Sequence, residues 1–249
     1  MKRMAPQVTE SGPFKAEQVR AGDPYELSRG HIIERLPAGG RGGRAKLVGA
    51  AVLNSDPAVR SASVDTGFSP DPGTMRALDI AVGDIPDAPG WLKSAPLLAV
   101  EYVDTGHDED ELQMKVAELL EAGTKIIWVV RLFSPRRVEV YEPGARARTL
   151  LPGEMLSASN ILANPIPVEA LYDRNVAHRV TLKNLLQRKA REEGELHTLR
   201  ASVREVFSAR GLRLSPDHEA QIDQCSDPAV LRRWHRAAVT APDASAALS

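Results

Sequence analysis

Leu97-Leu98-Ala99-Val100-Glu101-Tyr102-Val103 is a nearly continuous apolar run with one carboxylate inside it. Such a run reads as a strand buried on both faces, and Glu101 is its anomaly. An ionised carboxylate left unpaired in that setting is costly, so proteins neutralise it, pair it or give it a metal. Upstream, Arg76-Ala77-Leu78-Asp79-Ile80-Ala81-Val82 repeats the puzzle. It reads as a strand with Leu78, Ile80 and Val82 on one face and Asp79 on the other. Two strand-borne carboxylates meeting at one sheet end can share a divalent cation through hard oxygen ligands. The alternative is that each points to solvent or caps a neighbouring element.

Downstream, Asp108-Glu109-Asp110-Glu111 puts acid where a helix start favours it. The helix runs to about residue 121 and stops at the C-cap glycine Gly123. Its apolar stripe is Leu112, Val116, Leu119 and Leu120, and Lys115 falls inside that stripe. A lysine facing the sheet needs a counter-charge, which Asp79 or Glu101 would supply; snorkelling to water is the other reading. Residues 125–132 form another buried strand, and after Ser134-Pro135-Arg136 residues 137–141 alternate as its return. Strand, strand, helix, strand, strand describes an α/β sandwich around a mixed central sheet, the fold class expected here.

Before this block, Tyr25-Glu26-Leu27 and residues 31–36 flank Ser28-Arg29-Gly30 and read as a β-hairpin. Gly39-Gly40-Arg41-Gly42-Gly43-Arg44 reads as a flexible basic loop without the Lys-Ser/Thr ending of a phosphate-binding P-loop. Residues 45–53 suit either a helix or a strand. After the block, residues 181–210 have helical composition. Pro216 and Pro228 each follow Ser or Asp, opening helices near 216–224 and 228–238, and residues 241–245 look frayed. The organisation expected is a flexible lead-in over 1–20, an α/β domain over 21–173 and an all-helical extension over 174–249.

Over its 249 residues the chain carries 32 Lys and Arg against 33 Asp and Glu, a net charge of −1. That excludes a protein that coats nucleic acid by charge alone, though not a local basic groove. Residues 1–173 hold 19 basic and 24 acidic side chains (net −5), and residues 174–249 hold 13 and 9 (net +4). Cys225 is the single cysteine, which rules out an internal disulfide and a Cys-clustered zinc site. The six histidines are dispersed, and Trp91, Trp128 and Trp234 read as packing anchors. No apolar run approaches the roughly 18 residues of a membrane span, and no signal segment opens the chain. A soluble, cytoplasmic protein with no membrane partner is expected.

In this order and spacing the motifs resemble the Uma-two family of putative restriction endonucleases, a branch of the PD-(D/E)XK nuclease superfamily. The resemblance runs over roughly residues 20–173: the hairpin at Tyr25-Glu26-Leu27 with Gly30 and Ile32, the Asp79 strand, the Glu101 strand, Lys115, and Ala122-Gly123-Thr124-Lys125 with the strand after it. Several positions depart from the family pattern. Val103 stands where the superfamily's strand lysine is usual, and Lys115 on the helix is the substitute. Leu78 replaces a common proline, Asp104 a common serine and His31 a common acid, which leaves Glu26 as the accessory metal ligand. The resemblance implies metal-dependent endonucleolytic hydrolysis of DNA phosphodiester bonds. Asp79 and Glu101 would hold Mg²⁺ or Mn²⁺, with Glu26 completing the shell. Lys115 would orient or deprotonate the attacking water, or stabilise charge on the phosphate. Arg29, Arg35, Arg41, Arg44 and Lys46 are the candidates for DNA-backbone contacts; a solvated loop is the other reading of that cluster. Val103 and the changed flanks keep a second function open, a catalytically silent nuclease-fold protein acting as a nucleic-acid-binding or assembly module. A third reading gives the C-terminal helices a role in forming a homo-oligomer.

Overall fold

A computed structural model describes residues 12–249, so the first part of the expected lead-in lies outside the described residues. The chain divides into two compact units, the first ending at Asn184 and the second spanning Leu185–Ser249.

The first unit opens with a small hairpin, β1 (Tyr25–Ser28) and β2 (His31–Glu34), followed by helix α1 (Gly40–Ser55). A six-stranded sheet then runs in the order β3 (Ser61–Phe68), β4 (Arg76–Gly83), β5 (Leu98–Val103), β6 (Ile126–Arg131), β7 (Arg137–Tyr141) and β8 (Arg148–Leu150). Neighbours are antiparallel except β5 and β6, which are parallel. A parallel pair needs a crossover, and helix α2 (Glu109–Glu121) supplies it. The Asp108 carboxylate caps α2 by accepting from the N–H groups of Asp110 and Glu111, and Gly123 at φ 109° ends it. β5 and β6 are buried at every position, as their continuous apolar runs require. A short pair follows, β9 (Met155–Leu156) with β10 (Ile166–Pro167).

The sheet is covered on both sides. On one, Ala45, Val52 and Leu53 of α1 pack with Ile80, Val82, Val100, Tyr102, Trp128 and Val130. On the other, Leu112, Val116 and Leu119 of α2 pack with Ala81, Ala99, Val103, Ile127 and Val129. One detail differs from the expected alternation. Leu78 joins the α2-side cluster rather than the side of Ile80 and Val82. The change of side falls at Asp79, where the β3–β4 ladder keeps its register (Thr66↔Leu78, Val64↔Ile80) but skips the pair with Asp65, whose φ is 49°.

Other expectations need correction. The glycine-rich stretch is the first turn of α1, not a flexible loop. Burial of Ala45, Gly49, Val52 and Leu53 along one stripe outweighs poor glycine propensity. Gly49 is required there, because a Cβ would lie 1.9 Å from the Tyr102 hydroxyl. Residues 12–20 are not a loose lead-in: Ala16 and Val19 are buried with Leu27 and Met75, and Ala16 N–H donates to Pro72 O at 2.7 Å. The charge change near residue 175 marks the start of helix α3 (Arg174–Ala209), whose first turns still belong to the first unit. Ala177 is buried in its core, and Asn184 Nδ2 donates to Ser55 Oγ at 3.0 Å. The polar strand β3 was not anticipated from the sequence.

Asp56, 1% exposed, fastens the segment after β9 to the end of α1. Its carboxylate accepts from the N–H groups of Ala58 (2.8 Å), Ala163 (2.8 Å) and Asn164 (3.3 Å). Asp56→Ala removes the buried carboxylate that these three N–H groups share and is expected to lower stability by about 1.5–3 kcal/mol. Urea unfolding measures this, and an unchanged midpoint contradicts it.

In the second unit the later turns of α3 pack with α4 (Pro216–Gln224), α5 (Pro228–Thr240) and α6 (Ala244–Ala247) around Val203, Phe207, Ile222, Leu231 and Trp234. Ser215 and Asp227 cap α4 and α5, as the Ser-Pro and Asp-Pro pairs implied. The end expected to fray is capped by Asp243 instead, and Ala244, Ala247 and Leu248 are buried. No described helix is long and apolar enough to cross a membrane.

Candidate active site

The site forms where β4 and β5 part. Their ladder pairs Val82 with Leu98, Ala81 with Ala99 and Ile80 with Val100, then ends. Asp79 and Glu101 are the next residue on each strand. The Tyr102 N–H donates to Asp79 Oδ2 at 2.8 Å, fixing that carboxylate across the gap. Lys115 reaches in from the inward stripe of α2. Its Nζ donates to Glu101 Oε2 at 2.7 Å, to Ala77 O at 2.7 Å and to Glu26 Oε1 at 3.5 Å. Glu26 arrives on β1, because Leu27 exchanges both backbone hydrogen bonds with Met75 immediately before β4. Glu26, Asp79, Glu101 and Lys115 are all buried, so neither snorkelling nor solvent exposure describes them.

Charge within this cluster is unevenly distributed. Burial pushes the Glu101 carboxyl up to about 7, with Asp79 and Glu26 adding to the rise and Lys115 pulling against it. Burial also opposes ionisation of Asp79. Lys115, Lys46 and the Tyr102 N–H outweigh it and hold that carboxyl below its ordinary value. Burial works to deprotonate Lys115, but Glu101, Glu26 and Asp79 keep its ammonium above the usual lysine value.

The basic residues expected to meet DNA separate into distinct groups. Arg35 Nη2 donates to Asp79 Oδ1 at 2.7 Å, and Lys46 Nζ lies 2.6 Å from the same oxygen. These two line the cleft beside the carboxylates. Arg41 is paired with Asp104, a residue of the cleft wall. Arg44 is exposed on α1. Arg29 sits on the hairpin turn 3.7 Å from Glu121 and does not line the cleft.

The cleft itself encloses about 460 Å³, walled by Glu26, Arg35, Lys46, Asp79, Glu101 and Lys115 with the start of α1 and the segment after β5. A smaller hollow of about 220 Å³ on the second unit, against Leu199, Arg232 and Arg236, holds no carboxylate. Glu101 Oε1 is a buried carboxylate oxygen without a hydrogen-bond partner. It gives the cleft hard-oxygen capacity that its own donors do not exhaust, while the neighbouring Asp79 Oδ1 is engaged by the movable Arg35 and Lys46 side chains. This suits Mg²⁺, which is held by one or two carboxylates and keeps several waters. Among the described residues, no three His, Cys, Asp or Glu side chains gather as a closed metal cage would require. The oxygens of Glu26, the expected accessory ligand, are turned on Arg76, Lys115 and Arg35.

Arg76, missed in the sequence, is the hub behind that arrangement. It is fully buried, with Nε donating to Glu118 Oε2 at 2.6 Å and Nη1 lying 3.3 Å from Glu26 and 3.5 Å from Glu111. A signal was present on α2: Glu111, Lys115 and Glu118 recur at helical spacing along one face, an acid-base-acid row beside the apolar stripe.

The model of one family, described as "Uma2: Putative restriction endonuclease", matches residues 14–168. The chain is similar to the crystal structure of a putative nuclease belonging to DUF820 from Anabaena variabilis, with a TM-score of 0.55 at 15% identity. That match covers 65% of this chain and 96% of the other, and it supports the fold. No curated protein matches the chain.

Proposed function

The chain belongs to the Uma2 family of putative restriction endonucleases, and from that membership we propose that it is a divalent-metal-dependent endonuclease acting on DNA phosphodiester bonds. The observation that carries the proposal is the convergence of Asp79, Glu101 and the Lys115 ammonium in one cleft, with Glu101 Oε1 unpartnered. Asp79 and Glu101 would hold the ion. When bound, Mg²⁺ or Mn²⁺ polarises the scissile phosphate and lowers the pKa of a coordinated water.

The remaining chemistry falls to the chain. Lys115 stays an ammonium among three carboxylates, so it acts as a hydrogen-bond donor and positive charge rather than as the base. Two of its contacts are short, to Glu101 and Ala77 O, and the third, to Glu26, is long at 3.5 Å. That loosest proton is the one free to turn to a non-bridging phosphate oxygen as charge develops there. Glu26 then serves to hold Lys115 in line rather than to bind metal.

Purified protein should nick supercoiled plasmid in Mg²⁺ or Mn²⁺ and stop in EDTA. Lys115→Ala should reduce the rate by at least about a hundredfold, the cost of losing one transition-state donor. Cleavage undiminished in both Lys115→Ala and Asp79→Ala would assign the activity elsewhere. A second reading, a silent DNA-binding module, is favoured by one observation: Asp79 Oδ1 already holds two cations. DNA retention without nicking in either metal selects that reading.

A further inference from the structure

We infer that Arg35 and Lys46 are resident counter-ions of Asp79, which a divalent ion displaces and the substrate phosphate then receives. The inference rests on the nuclease reading above. Asp79 presents its two oxygens differently. Oδ2 is engaged by the Tyr102 N–H at 2.8 Å, while Oδ1 collects Arg35 Nη2 at 2.7 Å and Lys46 Nζ at 2.6 Å. Oδ1 is held by side chains alone, so it is the oxygen that can be given up to a ligand, and two positive groups stand on it. A divalent ion sharing that oxygen would meet like charge at close range in a partly buried site, where repulsion is only weakly screened. At least one cation must leave for the ion to bind well.

Both side chains are able to leave. Arg35 follows β2 and Lys46 projects from α1, and their side chains are 27% and 18% exposed where they line the cleft. Each is long enough to swing into the cleft without unfolding the element that carries it. Arg35 has further anions within 3.3 Å (Asp65) and 3.6 Å (Glu26), so it is the more firmly held of the two. Lys46 is the one that yields first. A DNA phosphate in the cleft offers both a new anionic partner, and the Arg35 fork suits two phosphate oxygens. Metal and DNA would therefore bind cooperatively: each removes the obstacle to the other, and the coupling is reciprocal. Without DNA the cations keep Asp79 neutralised and the site poorly loaded.

The test measures metal affinity rather than cleavage. Mn²⁺ binding to the full chain is followed by the electron paramagnetic resonance of free Mn²⁺, with and without a short phosphorothioate duplex that resists hydrolysis. Wild type should bind Mn²⁺ about tenfold more tightly with the duplex, within the usual range of such couplings. Lys46→Met should bind Mn²⁺ about tenfold more tightly without DNA and lose most of the duplex effect. Lys46→Arg, which keeps the charge, should follow wild type, and circular dichroism melts establish that each variant is folded. Unchanged or weakened Mn²⁺ affinity in folded Lys46→Met, beside a wild type that binds metal and nicks plasmid, overturns the counter-ion role alone. A wild type that neither binds Mn²⁺ nor nicks plasmid overturns this inference together with the nuclease reading.

Discussion

Glu101→Gln is expected to abolish nicking while making the metal-free protein more stable at pH 8. Glutamine has the shape of the protonated acid and never ionises. In the fold, burial raises the Glu101 carboxyl to about 7 from an ordinary value of 4.5, despite the attraction of Lys115. A carboxyl raised in this way contributes stability that is present below pH 4.5 and is lost as pH climbs through 7. Wild type therefore bears the full cost of ionising Glu101 at pH 8 and little of it at pH 5. A tenfold change in proton affinity corresponds to about 1.4 kcal/mol. Allowing for the charge-assisted bond to Lys115 that glutamine weakens, a gain on the order of 1–2 kcal/mol remains at pH 8 and vanishes near pH 5. Nicking should fall by at least about a hundredfold, since even partners behind a metal ligand can cost that much. Urea midpoints at the two pH values, with a plasmid assay, measure both halves. A variant less stable than wild type at pH 8 would show that Glu101 is a structural anion rather than one held against its preference.

That prediction depends on residues that stood out in the sequence for a physical reason. Asp79 and Glu101 interrupt apolar strands, and Lys115 interrupts an apolar helix stripe. A charge in the wrong place is visible without knowing its partners. The strands that carry them were equally visible, because β5 and β6 are apolar at nearly every position. What was hidden depended on distant contacts. Strand β3 (Ser61-Ala62-Ser63-Val64-Asp65-Thr66-Gly67-Phe68) lies at the sheet edge and is largely half-exposed, so it carries no apolar alternation. The first turn of α1 is rich in glycine, and only the sheet face beneath it makes it helical. Arg35 and Lys46 read as outward basic residues because nothing local shows that both fold back onto Asp79. Arg76 opens its strand like any surface arginine, and its burial follows from β1 docking alongside β4.

Arg76 therefore supports the other large effect, on stability. Arg76→Met should cost about 3–5 kcal/mol, the usual penalty for removing one partner from a buried ionic network. The loss is large because the guanidinium faces several acids at once. It bonds Glu118 at 2.6 Å and lies near Glu26 and Glu111, while Glu118 also accepts from the Ser28 hydroxyl. Methionine fills part of the space but leaves the nearly inaccessible Glu118 without its cation and Glu26 with only its longer contacts to Lys115 and Arg35. For a domain whose total stability is about 5–15 kcal/mol, this takes a large share. If the penalty comes from stranded charge rather than lost packing, removing a second charge should restore part of it. Arg76→Met with Glu118→Gln should then recover about 1–3 kcal/mol over the single variant, a coupling typical of network partners. The consequence for the site is separable. With Arg76 gone, Glu26 loses the partner that holds it opposite Lys115, so nicking should drop even at temperatures where the variant is folded. A single variant within about 1 kcal/mol of wild type, or a double variant no better than the single, would remove Arg76 as the anchor of the cleft's acid wall.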